Sequence, residues 1–202
     1  MSDKATGTEP IILIGAGGHA RSCIDVIESN GNYQILGLIG QDKEIGQEIC
    51  GYPVLGTEKI LTQLRNKVQA IALGLGQIKT SNLRERYFRL ARELGFHLPV
   101  IASSSARVSK HATIGVGTII FHGATINASA KVGMCNIVNS HALIEHNVRI
   151  GDFCHISTGT IINGSVDIGD RSFIGSRSII VNDVVVANDT FVKAGSIVKR
   201  DV

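Results

Sequence analysis

From Val108 onward every sixth position is aliphatic: Val108, Ile114, Ile120, Ile126, Val132, Val138, Ile144, Ile150, Ile156, Ile162, Ile168, Ile174, Ile180, Val186, Val192 and Val198. All sixteen are Val or Ile. An amphipathic helix repeats at about 3.6 residues and a lone strand at about 2, so this period means a stacked array of short, equivalent units. Two residues before each aliphatic runs a second column of mostly small residues, including Ala106, Ala112, Ala124, Ala130, Ala142, Cys154, Ser172 and Ser178. Positions i and i−2 share a strand face, so each unit sends one branched and one small side chain into a narrow prism. Three units make one triangular coil, and the array gives a little over five coils. Asn136, polar in the small column, is expected to be hydrogen-bonded inside, and Cys154 to be a buried, inert thiol. Glycine directly follows the aliphatic at Gly115, Gly133, Gly151, Gly169 and Gly175. These read as corners where a positive φ is cheapest for Gly.

The first half has a different rhythm. An apolar strand over Ile11–Ile14 runs into Gly15-Ala16-Gly17-Gly18-His19-Ala20 and then a helical pattern through Ile24 and Ile27. A second strand is predicted over Ile35–Ile39, a hairpin-like stretch over Cys50–Gly56, a helix over Thr57–Lys67, a third strand over Ala70–Leu75 and a long helix over Ser81–Gly95. This alternation implies a short parallel sheet flanked by helices. The predicted organisation is a flexible N-terminus over 1–10, a Rossmann-like α/β substrate-binding domain over 11–103, with Pro99–Ser105 as its linker, and a β-helix over 104–202.

Composition narrows the function classes. The 20 Lys and Arg among 202 residues leave a net charge of +3 with no basic stripe, which argues against nucleic acid. No apolar run approaches the roughly 20 residues of a membrane span. Four cysteines without a CxxC fit a reducing, cytoplasmic setting, and seven histidines without acidic partners at ligand spacing make no metal site. The glycine turn matches a dinucleotide fingerprint, but the acid expected about 20 residues on is replaced by Leu38-Ile39-Gly40-Gln41, with Asp42 only afterwards. The turn reads better as an anion site at a helix N-terminus.

Gly15-Ala16-Gly17-Gly18-His19, Gly51-Tyr52-Pro53-Val54-Leu55-Gly56 and Ile144-Glu145-His146-Asn147-Val148-Arg149-Ile150-Gly151-Asp152-Phe153-Cys154-His155-Ile156-Ser157 together resemble the sialic acid O-acetyltransferase (NeuD) family. That family includes the PglD-type amino-sugar N-acetyltransferases. The resemblance implies that the β-helix is left-handed, which the spacing alone leaves open. It implies a homotrimer with acetyl-CoA between neighbouring β-helices and the sugar held partly by the N-terminal domain, at Gly15, Ala16, Gly17, Gly18, His19 and Gly76, with Asn139 in the acceptor pocket. His146 corresponds to the general base, a role suited to an imidazole of pKa about 6.5. Gly164 N–H corresponds to the oxyanion donor and His155 to a second histidine near the thioester. Gly175, Ser176, Ala194 and Gly195 correspond to the coils lining pantetheine and adenine. His111, His122 and His141 lack such context and are expected to pack at the surface or between subunits.

Several positions depart from the family. An acid usually follows the base, whereas here Asn147 can orient the imidazole without neutralising its charge; Glu145 is expected to point elsewhere. Gly40-Gln41-Asp42 keeps at most one acid of the pair that reads the nucleotide base. The sequence ends at Val202 without a Pro-Ala-Lys tail, and a weaker hold on the CoA phosphates is the expectation.

The expected activity is transfer of acetyl from acetyl-CoA to an amino or hydroxyl group of a nucleotide-linked sugar in bacterial surface-glycan synthesis. Alternatives are O-acetylation of a sialic-acid-like sugar, or a non-catalytic trimeric scaffold. Apolar residues on the outer faces, Ile119, Phe121, Ile161, Phe173, Ile179 and Phe191, support self-association.

Overall fold

The computed structural model describes residues 8–202. The expected flexible N-terminus falls largely on residues 1–7, outside the described residues. Glu9 and Pro10 already belong to β1 (Glu9–Ile14). There follow α1 (Gly18–Asn30), β2 (Tyr33–Ile39), β3 (Glu48–Ile49), β4 (Tyr52–Gly56), α2 (Leu61–Leu64), β5 (Ala70–Leu73) and α3 (Asn82–Glu93). The sheet order is β3-β4-β2-β1-β5, parallel except for β3, which forms the expected hairpin with β4. Central β1 is covered on both faces, and Ile11, Ile12, Leu13 and Ile14 are all buried, which is why it reads as an unbroken apolar run.

Helix α1 buries Ala20, Cys23, Ile24 and Ile27, one stripe at helical spacing, and ends at Gly31 in the left-handed region (φ 74°). The helix expected over Thr57–Lys67 is instead a 3₁₀ turn, Glu58–Ile60, followed by the single turn of α2. Its apolar positions reach only to Leu64, and the chain must fold back at once to bury Val68 and start β5.

In the second half each of the sixteen aliphatics ends a two-residue strand. Strands stack every third unit into three parallel faces. Face 1 runs through Val108, Ile126, Ile144, Ile162, Ile180 and Val198; face 2 through Ile114, Val132, Ile150, Ile168 and Val186; face 3 through Ala102, Ile120, Val138, Ile156, Ile174 and Val192. Ala102 is an added rung. The segment expected as a linker contains β6 (Ile101–Ala102), which pairs with Ile119–Ile120. The aliphatic and small columns together fill the prism.

Polar members of the small column donate to carbonyls of the next coil: Thr118 to Gly133, Asn136 to Gly151, Cys154 to Gly169, Ser172 to Ala187 and Ser178 to Lys193. Asn136 thus meets its expectation. Cys154 does too, since burial pushes its thiol up to about 12.

The glycines after the aliphatics serve a different purpose from the one expected. Gly115, Gly133, Gly151, Gly169 and Gly175 do not have positive φ. A Cβ at any of them would collide with the next coil, for example with the Gly133 backbone above Gly115 or the Ala194 amide above Gly175. The left-handed corner residue comes two positions later and is usually not glycine: Cys135, His141, Asn147, Phe153, Ser165 and Arg171 all have φ of 53–61°. The close approach lets Asp152, Asp170 and Asn188 each accept the N–H one coil back, from Met134, Asp152 and Asp170 at 2.8 Å. Ile150-Gly151-Asp152 is therefore a stacking motif.

The α/β domain sits on face 3. Outward-pointing Ile101, Ile119 and Ile137, together with Phe121, enter its core cluster. Ile119 and Phe121, expected to seek a partner subunit, are covered within the chain at 1% exposure. Phe191 stays 51% exposed, while Ile161, Phe173 and Ile179 are half-buried.

Candidate active site

Gly15, Ala16, Gly17, Gly18, His19 and Gly76, expected to hold the substrate, line one cleft of about 350 Å³ with Gly40, Gln41, Glu44, Gly74 and Tyr87. It lies beyond the C-terminal ends of β1, β2 and β5, where open parallel sheets bind ligands. Gly15 (φ 116°) is held 2.8 Å from the Ile39 carbonyl by its N–H, and a Cβ there would press on the Gly74 backbone. The first turn of α1 has no side-chain cap and no acid, so its free N–H groups and dipole favour an anion. Asp42, the one acid expected near the end of β2, does not line the cleft. Glu44 does, with one oxygen accepting the Gln41 N–H at 2.8 Å.

Asn139 belongs to a second group, where the domains meet. Its Nδ2 donates to His155 Nε2 (3.2 Å), and its Oδ1 accepts the Ser140 N–H (2.7 Å). His155 Nδ1 donates to the Gln77 carbonyl at 2.6 Å. The imidazole thus carries its proton on Nδ1 and presents Nε2 as an acceptor. His155 points outward from the β-helix, yet the α/β domain leaves it 7% exposed. Burial pushes it down to about 4, against the Gln77 bond and assisted by nearby Arg84. Burial, then Arg84 and His155, takes His19 down to about 3. The two imidazoles lie 6.4 Å apart.

His146 stands elsewhere. It follows β13 (Leu143–Ile144) on the corner between faces 1 and 2, across the prism from face 3. It is exposed, and its ring rests on Gly164 one coil on, where an added Cβ would lie 2.7 Å from Cε1 and 3.0 Å from Nε2. Asn147, left-handed at φ 61°, places Nδ2 3.2 Å from His146 Nδ1. Glu145 instead accepts from Asn127 (2.8 Å), as expected of a residue pointing elsewhere. Gly164 is buried beneath the ring, and its own N–H makes no hydrogen bond among the described residues.

Gly175, Ser176, Ala194 and Gly195 follow one another down the corner between faces 3 and 1, below Asn139. Gly175 is buried under Ala194, while Ala194 and Gly195 are exposed and nothing lies within 4 Å of a Cβ added at Gly195. Ser157 and Ser176 share a hydrogen bond at 2.8 Å on this corner. The structure thus brings Asn139 and His155 together, and His146, Asn147 and Gly164 together, but keeps the two groups apart within one chain.

Residues 10–89 match the family model of the PglD N-terminal domain. Over the whole chain the fold is similar to perosamine N-acetyltransferase from Caulobacter crescentus, solved in complex with CoA and GDP-perosamine. The identity is 30%, with 100% of this chain and 92% of that one covered, and the TM-score is 0.90. The chain belongs to the hexapeptide-repeat sugar acetyltransferases.

The acetyltransferase domain of PglB from Neisseria gonorrhoeae, in complex with acetyl coenzyme A, is similar at 28% identity, with 97% and 93% of the two chains covered and a TM-score of 0.89. WeeI from Acinetobacter baumannii, at 18% identity and a TM-score of 0.56, shares the fold. A search of curated proteins returned no match.

Some residues that the structure brings against this candidate site carry no local mark in the sequence. Asn182, one coil beyond Gly164, comes within 3.3 Å of a Cβ built there, and stepping from His146 by one coil at a time would have found it. Gln77, whose carbonyl holds His155 Nδ1, and Arg84, buried nearby, carry no local signal. Of the histidines left without a role, His122 joins the domains through Asp25 (2.9 Å) and Ser103 (2.6 Å), and His141 lies over Gly123.

Proposed function

We propose that this acetyltransferase moves acetyl from acetyl-CoA to the amino group of a nucleoside-diphosphate-linked sugar in the cytoplasm, and works as a homotrimer. The observation that carries the reading is the division of the site. The anion-favouring cleft and the Asn139–His155 pair lie on face 3, and His146 lies on the opposite corner. A second copy presenting its His146 corner to this group completes a site that one chain cannot. The half-buried Ile161 and Ile179 and the exposed Ile197 give face 1 an apolar surface for that contact.

In this reading the glycine turn and the start of α1 hold the diphosphate. The exposed corner at Ser176, Ala194 and Gly195 is open enough for pantetheine to run along it. The sugar ammonium releases one proton to solvent, the free amine attacks the thioester carbonyl, His146 takes the second proton from the attacking nitrogen, and the N–H of Gly164 donates to the oxyanion. The C–N bond forms, the C–S bond breaks, and His146 returns the proton to the departing thiolate.

GDP-perosamine bound by the Caulobacter relative favours an amino acceptor over the hydroxyl of a sialic-acid-like sugar. A thiol-release assay across GDP-, UDP- and dTDP-linked amino sugars and sialic acids tests this. Turnover is expected on at least one nucleotide-linked amine, and turnover on sialic acids alone contradicts the reading.

A further inference from the structure

Behind the cleft lies a buried charge with no role in the chemistry above. Arg84 on α3 is 1% exposed, and no carboxylate pairs with it among the described residues. Its guanidinium donates to three carbonyls: Leu73 (3.1 Å), Leu75 (2.5 Å) and, across the domain interface, Cys135 (2.9 Å). Burying a cation against carbonyl dipoles alone is costly, and apolar packing would do as well for stability. The three buried side-chain atoms without partners among the described residues, Arg84 Nε, His19 Nε2 and Gln77 Oε1, all fall in this interface. Unsatisfied groups gathered in one place mark a functional constraint on the packing.

The Leu73 and Leu75 carbonyls flank Gly74 at the end of β5. Gly74, Leu75 and Gly76 of the following loop wall the cleft. Its next residue, Gln77, accepts the His155 proton on its carbonyl and donates Nε2 to the Phe153 carbonyl at 2.6 Å. Arg84 is therefore linked to His155 and Asn139 by hydrogen bonds at either end of the short backbone stretch Leu75–Gln77 that walls the cleft.

We propose that Arg84 is a positioning residue: it ties the Leu73–Gln77 loop to the β-helix at Cys135, fixes the cleft relative to the Asn139–His155 pair, and lends the cleft a positive field for a diphosphate. The second part rests on the functional reading above. Arg84 also faces His19 and His155 and contributes to keeping both neutral.

Arg84→Met removes the charge and the fork, while Arg84→Lys keeps the charge but cannot span three carbonyls. Calorimetry with GDP and UDP alone, steady-state kinetics and the ring-nitrogen NMR signals of His155 separate the roles. In Arg84→Met, nucleotide affinity is expected to fall about tenfold, the nucleotide-sugar KM to rise by a similar factor, and the acetyl-CoA KM to stay within about twofold. The His155 Nδ1–H signal is expected to broaden into a tautomer mixture.

Arg84→Lys is expected to keep nucleotide affinity within about threefold while kcat falls about tenfold or more. Wild-type GDP and UDP affinity and an unchanged His155 signal in folded Arg84→Met overturn the proposal, even if the protein melts earlier. If Arg84→Met yields no folded protein, Arg84→Lys decides: unchanged kcat overturns the positioning role. Binding and NMR need no turnover, so failure to acetylate any sugar would sink the functional reading while these measurements still judge Arg84.

Discussion

His146, Gly164 and Asn147 form a unit whose parts depend on one another. The imidazole can sit over position 164 because no side chain stands there, and a methyl would lie 2.7 Å from Cε1. Gly164→Ala is therefore expected to lower kcat about 100-fold by displacing the ring, with melting temperature little changed. Steady-state kinetics beside a thermal melt check both halves. Asn147 raises a subtler point. With its Nδ2 against His146 Nδ1, the imidazole proton sits on Nε2, and only the opposite amide orientation frees Nε2 to accept a proton. A carboxylate would accept from Nδ1–H alone. Asn147→Asp is expected to raise kcat/KM roughly three- to tenfold and to move the acidic limb of its pH profile upward, because the new charge also stabilises the imidazolium. An unchanged profile would show that Asn147 does not govern the tautomer. That His146 and Asn147 stand side by side was legible because they are adjacent in a dense local motif. Asn182 and Glu44 were not, because they approach the site only through coil stacking or a folded-back loop.

Among the elements, the period of six predicted all sixteen rungs, since one inward branched residue per unit leaves a mark in sequence. The corners were misread for a physical reason. Both a positive φ and a close backbone approach select glycine, and composition does not distinguish them. The structure shows that approach dominates at Gly151, where an added Cβ would meet the Asp170 side chain and backbone. Gly151→Ala is expected to destabilise by about 1–3 kcal/mol through forced separation of two coils, whereas Gly159→Asn, at φ 65° with only Arg177 Cγ at 3.6 Å from an added Cβ, relies on a residue type that tolerates the left-handed region. Denaturant midpoints at equal slope compare them, and a smaller loss at Gly151 than at Gly159 would contradict the assignment. The added rung at Ile101–Ala102 was hidden because Ala102 replaces the aliphatic. His155 directly precedes the inward Ile156 and so faces outward, but that outward face is covered by a domain distant in sequence, which no local pattern reports.

At the scale of the molecule, two buried histidines make the union of the domains sensitive to acid. His155 is depressed to about 4 and His19 to about 3, so between these values and the ordinary 6.5 the unfolded chain binds protons that the native state does not. Stability therefore rises with pH across this window and is lost as pH falls from about 6.5 toward 4, by roughly 3 kcal/mol for His155. His155→Gln is expected to flatten that slope in melts taken from pH 7 to pH 4. The proposed division of the site between copies has its own consequence. His146→Ala and Asn139→Ala, each inactive alone, are expected to recover activity when refolded together, with roughly a quarter of interfaces combining an intact His146 with an intact Asn139. No recovery would place the whole site in one chain.

The central claim, acetyl transfer to a nucleotide-linked amine with His146 as the base, is tested most directly by thiol release from acetyl-CoA in the presence of a nucleoside-diphosphate amino sugar, wild type against His146→Ala. The expected result is turnover by the wild type and a loss of at least 100-fold in kcat for a variant that still binds acetyl-CoA. Near wild-type turnover in His146→Ala, or none by the wild type on any nucleotide-linked amino sugar, would contradict it.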